Sequence, residues 1–474
     1  MTGGPLPADP SAVKPARGSR NPLWSARRWV PKGVLVIFFL NLFLRGDGYF
    51  PFSKSVDPHL FSFVVLLQTL VLIVSSVWMA VVIIRPGSLV DQIGMSNRTQ
   101  LALAAVSLFL IAALQVLNAR RFAEFGYVGR PVLLGVLLLG ASLALALLWG
   151  RNRFWGILLA DLILKVYPLV CFPIAAERSD MLPIIGEAAR SMLAGENIYR
   201  FYLLDSGVWT QMVRFPGLVM SYAPATILNF DPRLITLASE ALFFVLLFRR
   251  FGCNRLFSGG VILLALSPYW HFRHELYEAP FWVALAVVLL ALERRHSVAE
   301  VAALSVVVCM HQWGLLVLPF VLLFLVRARP WVYGLGVAAS ALGVGALVVA
   351  VASAGDLAAF WQHTVAYYAA TLTSWAQQDA FPRTSLYLTP FIARAGGAAA
   401  VKAASALLVA AVFGWACLRL KNLAQLVGFL ALTLLAVLVT NTVAWTYQYL
   451  LVGALLWIGL MLRVEGEAGA APGR

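Results

Sequence analysis

Long apolar runs separated by short polar turns fill most of this chain. Runs that span a bilayer, or nearly so, lie at roughly 33–44, 59–84, 101–117, 131–149, 154–176, 234–248, 257–270 and 279–292, then at 331–354, 398–418, 422–440 and 447–462. Between 298 and 326 the apolar run is too long for one simple helix and is interrupted at Met310-His311-Gln312-Trp313. Two short helices joined in a tight hairpin account for it, and the pattern then predicts an all-α polytopic membrane protein with about fourteen transmembrane helices. Two long segments, 177–231 and 355–397, carry no span, and connections of that length are usually functional. In the first, Met181, Ile184, Ile185, Ala188, Ala189, Met192 and Leu193 follow the i, i+3, i+4 rhythm of an amphipathic helix lying flat on the membrane interface. Ser179 or Asp180 is placed to cap its start and Gly195 to end it. The second segment repeats the device, with Asp356 before Leu357, Phe360, Trp361 and Tyr368.

Basic residues orient this pattern, because Lys and Arg in short loops stay cytoplasmic. Lys14 to Lys32, Arg85, Arg98, Arg151, Arg153, Arg249, Arg250, Arg255, Arg294 and Arg295 fall on one side, with Arg120 and Arg121 as exceptions. The hairpin at 298–326 keeps Arg327, Arg329, Arg419, Lys421 and Arg463 there as well. Both termini are therefore expected to be cytoplasmic, and both long segments to face the other side. The division that follows is a disordered tail at 1–32, an accessory four-helix region at 33–153, a main membrane region at 154–463 and a second tail at 464–474. Residues 1–30 lack the apolar core and cleavage site of a signal peptide.

Composition agrees with the membrane reading: 61% of residues are hydrophobic, 12% are charged and the mean hydropathy is +0.84. The formal charge of +15 does not form the clustered footprint that nucleic acid requires, so no nucleic-acid partner is expected. Cys171, Cys253, Cys309 and Cys417 have no metal-ligand spacing. The remaining polar residues gather at the ends of spans opposite the basic loops. These are Glu177, Asp180 and Glu187, then His271, Arg273, His274, Glu275 and Glu278, then His311, His363 and Arg383, and finally Trp445-Thr446-Tyr447-Gln448-Tyr449. Segments far apart in sequence thus deliver polar groups to one face.

SDMLPIIGEAARSMLAGENIYRFY at 179–202 resembles the first outer loop of the glycosyltransferase superfamily C enzymes, in which an Asp precedes an amphipathic helix and a G-x-N-x-Y turn. Asn197 and Tyr199 fit that turn. SYAPATILNF at 221–230 is similar to the family's Y-P-P segment, keeping Tyr222 and Pro224 but not the first proline, where Ala223 stands. HELYEAPFWVALAVVLLAL at 274–292 is similar to its GQYD segment, with Glu278 where an Asp is usual. The 298–326 hairpin matches a family pair whose turn often carries Lys, replaced here by His311. WTYQYLLVGALLWI at 445–458 resembles the H-P-Q-Y-L-x-W element of the GPI-anchor and bacterial polyprenol-phosphate-mannose mannosyltransferases. The resemblance covers about 154–462 and leaves the first four spans without a counterpart.

What the resemblance implies is a GT-C-like bundle that moves a sugar, mannose above all, from a polyprenyl phosphate to a lipid or glycan acceptor. Asp180 would be the general base of an inverting, single-displacement transfer. Such chemistry needs a base for the acceptor hydroxyl and a cationic or hydrogen-bonding cradle for the departing phosphate. Arg273, His274, His311 and Arg383, assisted by Tyr447 and Gln448, are the candidates for that cradle, and the change from Lys to His311 weakens the correspondence there. Glu187, Tyr199, Tyr222, Glu278 and Trp445 are the candidates for acceptor or sugar binding; Glu278 could equally orient one of the cations. Trp209, Trp361 and Trp445 suit either sugar stacking or interface anchoring. No cofactor beyond the lipid-linked donor is expected, and metal-independent transfer is the default.

Plainer roles compete with each assignment. Asp180 can simply cap its helix, Glu187 can be solvated on the polar face, and His271, Arg273 and His274 can anchor at the interface. Tyr447, Tyr449 and Trp445 can form an ordinary aromatic belt. Asp161 and Lys165 sit inside a span at i, i+4 and read as a mutually neutralising pair, the sharper alternative being a proton relay. Glu240, also inside a span, has no evident partner in the sequence. GLGVAA at 334–339 lies within an apolar run without a preceding strand, so its glycines serve helix packing. The sequon Asn97-Arg98-Thr99 falls in a cytoplasmic loop and is discounted. The rival functions are a secondary transporter or lipid flippase, and a scaffold that docks a membrane partner through the first four spans.

Overall fold

The computed structural model describes residues 58–85, 96–123, 129–150, 152–174, 180–205, 207, 209–268, 271, 277–367, 388–441 and 448–469. Helices stand at every predicted apolar run from 59 onward. They are α1 (Pro58–Ile84), α2 (Asn97–Ala123), α3 (Pro131–Leu148), α4 (Arg153–Cys171), α5 (Met181–Leu193), α6 (Pro216–Ile227), α7 (Arg233–Phe251) and α8 (Arg255–Ala265). They continue with α9 (Ala279–Arg294), α10 (Ser297–Met310), α11 (Gln312–Ala328), α12 (Trp331–Ala352), α13 (Leu357–Trp361), α14 (Thr389–Arg419), α15 (Leu423–Val439) and α16 (Gln448–Gly469). Among the described residues six helices are long and apolar enough to cross a membrane: those at 97–120, 131–148, 153–171, 331–352, 395–419 and 448–466. Shorter apolar helices accompany them, α10, α11 and α15 among them. This is a helical membrane-type chain.

The interrupted run at 298–326 is a helical hairpin broken at one residue, His311, whose backbone is extended at φ −151° and ψ 149°. Arg329, just past α11, binds both carboxylate oxygens of Glu300 in the first turn of α10, at 2.7 and 3.0 Å. The far ends of the two helices therefore meet. At the turn Gly314 permits the close approach, since a Cβ there would fall 2.2 Å from the Val307 carbonyl oxygen.

Similar contacts gather the basic residues at one end of the bundle. Arg250 pairs with Glu293 at 2.5 Å and Glu465 at 2.7 Å, Arg153 donates to Gln100 at 2.9 Å, and Arg463 donates to the Ile83 carbonyl at 3.0 Å. At the opposite end Arg233 donates to the carbonyls of Phe172 and Leu169, closing the last turn of α4. Helices α15 and α16 form the most buried part of the core, with α1 docked on both, α2 against α8 and α3 against α4.

The amphipathic helix α5 ends at a Gly195 in the left-handed conformation (φ +74°), as the sequence suggests. Its apolar face does not lie on a lipid surface. Ile184, Ile185, Ala188 and Ala189 are buried, and α5 packs on α6 within the same segment. The middle of the stripe is covered by protein, while Leu193 at its end stays exposed. Between them the chain departs from pure helix: β1 (Phe201–Leu203) pairs antiparallel with β2 (Trp209–Gln211).

A polar cluster at the mouth of an apolar groove

Asp180 stands at the start of α5 but its side chain makes no capping bond. Instead the half-buried carboxylate accepts a hydrogen bond from the Thr210 hydroxyl of β2 at 2.6 Å. Asp180 is therefore not the side-chain cap of α5. The helix is closed through the backbone, where the Ile184 amide donates to the Asp180 carbonyl at 2.9 Å, which leaves the carboxylate for other work.

The G-x-N-x-Y turn is a local device. Asn197 accepts from the Tyr199 amide at 2.8 Å, an Asx turn that aims Tyr199 inward. The Tyr199 hydroxyl donates to the Arg214 carbonyl at 3.3 Å, and burial pushes this phenol well above its usual pKa, so it remains a neutral donor. Phe360 of α13 packs edge-on against Tyr199 at 5.2 Å and contacts Phe215 at 5.4 Å. Asp356 caps α13 by accepting from the Ala359 amide at 2.9 Å. The second long segment thus braces the first at the point where Arg214 emerges.

Arg214 was not among the residues singled out from the sequence, and it is the hub of the cluster. Its guanidinium donates to the Tyr277 hydroxyl, stacks over the Tyr277 ring at 5.2 Å, and lies 3.3 Å from His311 Nε2. A signal was present: Arg214 is basic in a segment assigned opposite the cytoplasm, against the rule used to orient the chain. Glu278 faces Arg214, Gln448 and Tyr277, and its Oε1 lies 3.9 Å from His311 Nε2. His311, Glu278 and Gln448 are all almost fully buried. Three segments flagged separately in the sequence therefore do converge.

His311 Nδ1 faces the Trp313 amide at 3.2 Å and Nε2 faces an Arg214 guanidinium nitrogen at 3.3 Å, so both ring nitrogens have neighbours that can only donate. The charged member is Arg214, whose guanidinium presents the fork of donors that suits an oxygen anion.

Beside this cluster runs an apolar groove of about 800 Å³. A stripe along the whole of α10 lines it, from Ser297 and Val298 through Ala302 and Ser305 to Cys309 and Met310. Gly217 and Met220 of α6 and Val344 and Val348 of α12 supply its other walls. Val298, Val306, Met220 and Val344 are exposed large apolar side chains, so the groove opens to the outer surface of the bundle. At 1.5 Å per residue α10 makes it roughly 20 Å long. Met310 at its head is followed directly by His311, and Gly217 lies three residues after Arg214.

Other predicted site residues are placed as follows. Glu187 pairs with Arg190 on the exposed face of α5. Tyr222 is buried in the core, sharing a 2.8 Å hydrogen bond with Thr236. Trp209 and Trp361 are mostly exposed, and Phe201 on the same hairpin lies 5.5 Å from His363. Arg273, His274, Arg383, Trp445 and Tyr447 lie outside the described residues. His271, expected at the interface, is instead fully buried, and Glu240 is not partnerless, since it binds Lys165. Among the described residues no three His, Cys, Asp or Glu side chains converge as metal ligands would. Comparison with protein families, with curated proteins and with solved structures finds no match to this chain.

Proposed function

We propose that this chain is an integral membrane glycosyltransferase of the superfamily C type, acting on the non-cytoplasmic face with about fourteen spans and both termini cytoplasmic. The donor is a polyprenyl-phosphate sugar, mannose by resemblance, and the acceptor is a glycolipid or glycan. The observation that carries this reading is the position of the Arg214 guanidinium, beside His311, at the head of an apolar groove. A groove of that length suits an isoprenoid chain, and the guanidinium suits its phosphate.

In the transfer, the acceptor oxygen bonds to the sugar C1 as the bond from C1 to the phosphate oxygen breaks. Asp180 takes the acceptor hydroxyl proton, and polyprenyl phosphate leaves with the electron pair. Inversion follows from the single displacement. Thr210 holds the Asp180 carboxylate, and Arg214 follows four residues later, so one short segment links the base to the phosphate cradle. Glu278 orients Arg214, and the exposed Trp209 offers a face for a sugar.

The test is to incubate purified, reconstituted protein with a panel of radiolabelled polyprenyl-phosphate sugars and a membrane lipid extract. A labelled product that disappears with Asp180→Asn supports the assignment; no product with any donor sinks it. A transporter or flippase is favoured by one observation, the buried charge network in which Lys165 on α4 binds Asp161 and, across on α7, Glu240. That reading predicts movement of label across the vesicle membrane without a new product.

A further inference from the structure

The β1–β2 hairpin has two faces of opposite character. Its register sets Leu203 opposite Trp209 and Phe201 opposite Gln211, with the Tyr202–Thr210 pair between them. Successive strand residues point to opposite faces. Tyr202 and Thr210 turn inward, where Tyr202 is buried and Thr210 donates to Asp180, while Phe201, Leu203 and Trp209 turn outward. Phe201 also packs edge-on against the imidazole of His363, which belongs to the π-helical turn (362–366) that continues α13. That element is two-sided as well. Phe360 and Thr364 face the protein, whereas Leu357 and Trp361, one helical turn apart, face out. Phe201, Leu203, Trp209, Leu357 and Trp361 are 54–66% exposed, so two adjoining elements present large apolar side chains that the protein leaves uncovered.

Their height in the bundle is set by one backbone bond. The Ile198 amide donates to the carbonyl of Ala352, the last residue of α12, at 3.2 Å. The 22 residues of α12 rise about 33 Å at 1.5 Å each, close to the ~30 Å hydrocarbon thickness of a bilayer. Its first residue follows Arg327 and Arg329, so Ala352 stands where the span leaves the hydrocarbon opposite the basic residues. Leu347 and Val351 are exposed, which carries the uncovered apolar surface of α12 up to this level. Phe201 is three residues from Ile198 and so within about 10 Å of that anchor. The described charges of the hairpin lie at its edges: Arg200 pairs with Glu196 at 2.9 Å at the root, and Asp205 is exposed at the turn.

We propose that the outward faces of the hairpin and of α13 form a bilayer-docking surface, seated in the boundary between headgroups and acyl chains of a phospholipid leaflet. Apolar side chains with two tryptophans and a polar rim are the chemistry that this layer accepts. Asp205 at the turn makes the hairpin lie on its face rather than enter tip first. The membrane contact that the sequence assigns to α5 is thus made chiefly by its neighbours. Since Thr210 is on the inner face of the same strands, docking holds the Asp180 carboxylate at a fixed depth beside the bilayer. A lipid-linked sugar stands at that depth too, so the docked Trp209 still has a wet edge to offer it. The inference does not rest on the glycosyltransferase reading.

Nitroxide labels on the full-length protein test it, at Leu203→Cys, at Leu357→Cys and, as the reference, at Asp205→Cys. The two cysteines that are not buried are first replaced, as Cys253→Ser and Cys417→Ser. Power saturation in proteoliposomes of phosphatidylcholine and phosphatidylglycerol compares collisions with oxygen, which partitions into lipid, and with a water-soluble nickel chelate. The ratio of oxygen to nickel accessibility should be higher at Leu203 and Leu357 than at Asp205. Equal ratios at the three positions put the face in water and overturn the proposal. Labels at Leu203 and Leu357 that are shielded from both reagents, or broadened by a label on a second copy, show that protein covers the face and overturn it as well. All three positions are exposed, so the variants should keep the wild-type unfolding transition; Trp361→Cys on the same face replaces either outward position that does not.

Discussion

Replacing Arg214 with Gln probes the cluster most directly. The guanidinium contributes a charge and a fork of donors beside His311 Nε2, 3.3 Å away. A hydrogen bond to a charged partner contributes about 1.5–3 kcal/mol, so losing one from the donor phosphate should raise the donor KM roughly 10- to 150-fold. Arg214→Lys retains the charge without the fork and should fall between. The substitution also leaves the buried Glu278 facing neutral groups, a separate source of damage. Adding Glu278→Gln removes that second effect. The assay is the initial rate of transfer from a radiolabelled polyprenyl-phosphate sugar in proteoliposomes, at fixed acceptor and varied donor, alongside thermal unfolding of each variant. The expected pattern is that Glu278→Gln restores the stability of Arg214→Gln but not its donor KM. Wild-type KM and kcat in Arg214→Gln, or full kinetic recovery on adding Glu278→Gln, would refute a phosphate contact at this residue.

Further predictions follow from the same geometry. Asp180→Asn should cost roughly 10²–10⁴-fold in kcat, the range for loss of a general base, while leaving the unfolding transition in place because the carboxamide oxygen can still accept from the Thr210 hydroxyl. Ala302→Trp fills the groove midway along α10 and should raise the KM for a long-chain donor while sparing a short-chain, water-soluble analogue; equal effects on both donors would count against a lipid groove. Lys165→Met strands two buried carboxylates and should destabilise by about 3–5 kcal/mol, seen as loss of folded protein in detergent; an unchanged transition would mean that the network is not energetically coupled.

Much of the architecture is legible in hydropathy and charge, because lipid leaves the backbone few options. The break at His311 is one case: a run too long for one helix, interrupted by polar residues, becomes a hairpin once the arginines at 327 and 329 must return to the basic side. Gly195 is another, since the end of an amphipathic stripe followed by glycine marks a helix terminus. The site is legible in part. Glu278, His311 and Gln448 stand at the ends of spans and do meet, with Arg214 as the member that links them. Arg214 escaped because it has no periodic pattern around it and belongs to a segment read mainly through its amphipathic helix. His271 and Asp161 show the converse. A histidine at a helix end reads as an interface anchor until the packing of α2 and α4 encloses it.

The sequence alone determines that this chain is helical and of membrane type, roughly where its apolar helices lie, and which ends of them carry polar groups. Those properties are set residue by residue, through burial in lipid and the cost of an unsatisfied backbone. Which polar groups share a site is decided only by helix packing: Thr210 with Asp180, Arg214 with His311, Lys165 with Glu240 across 75 residues of chain. Hydrogen bonds and ion pairs act over a few ångströms, and one-dimensional spacing does not report which distant residues the packing brings that close.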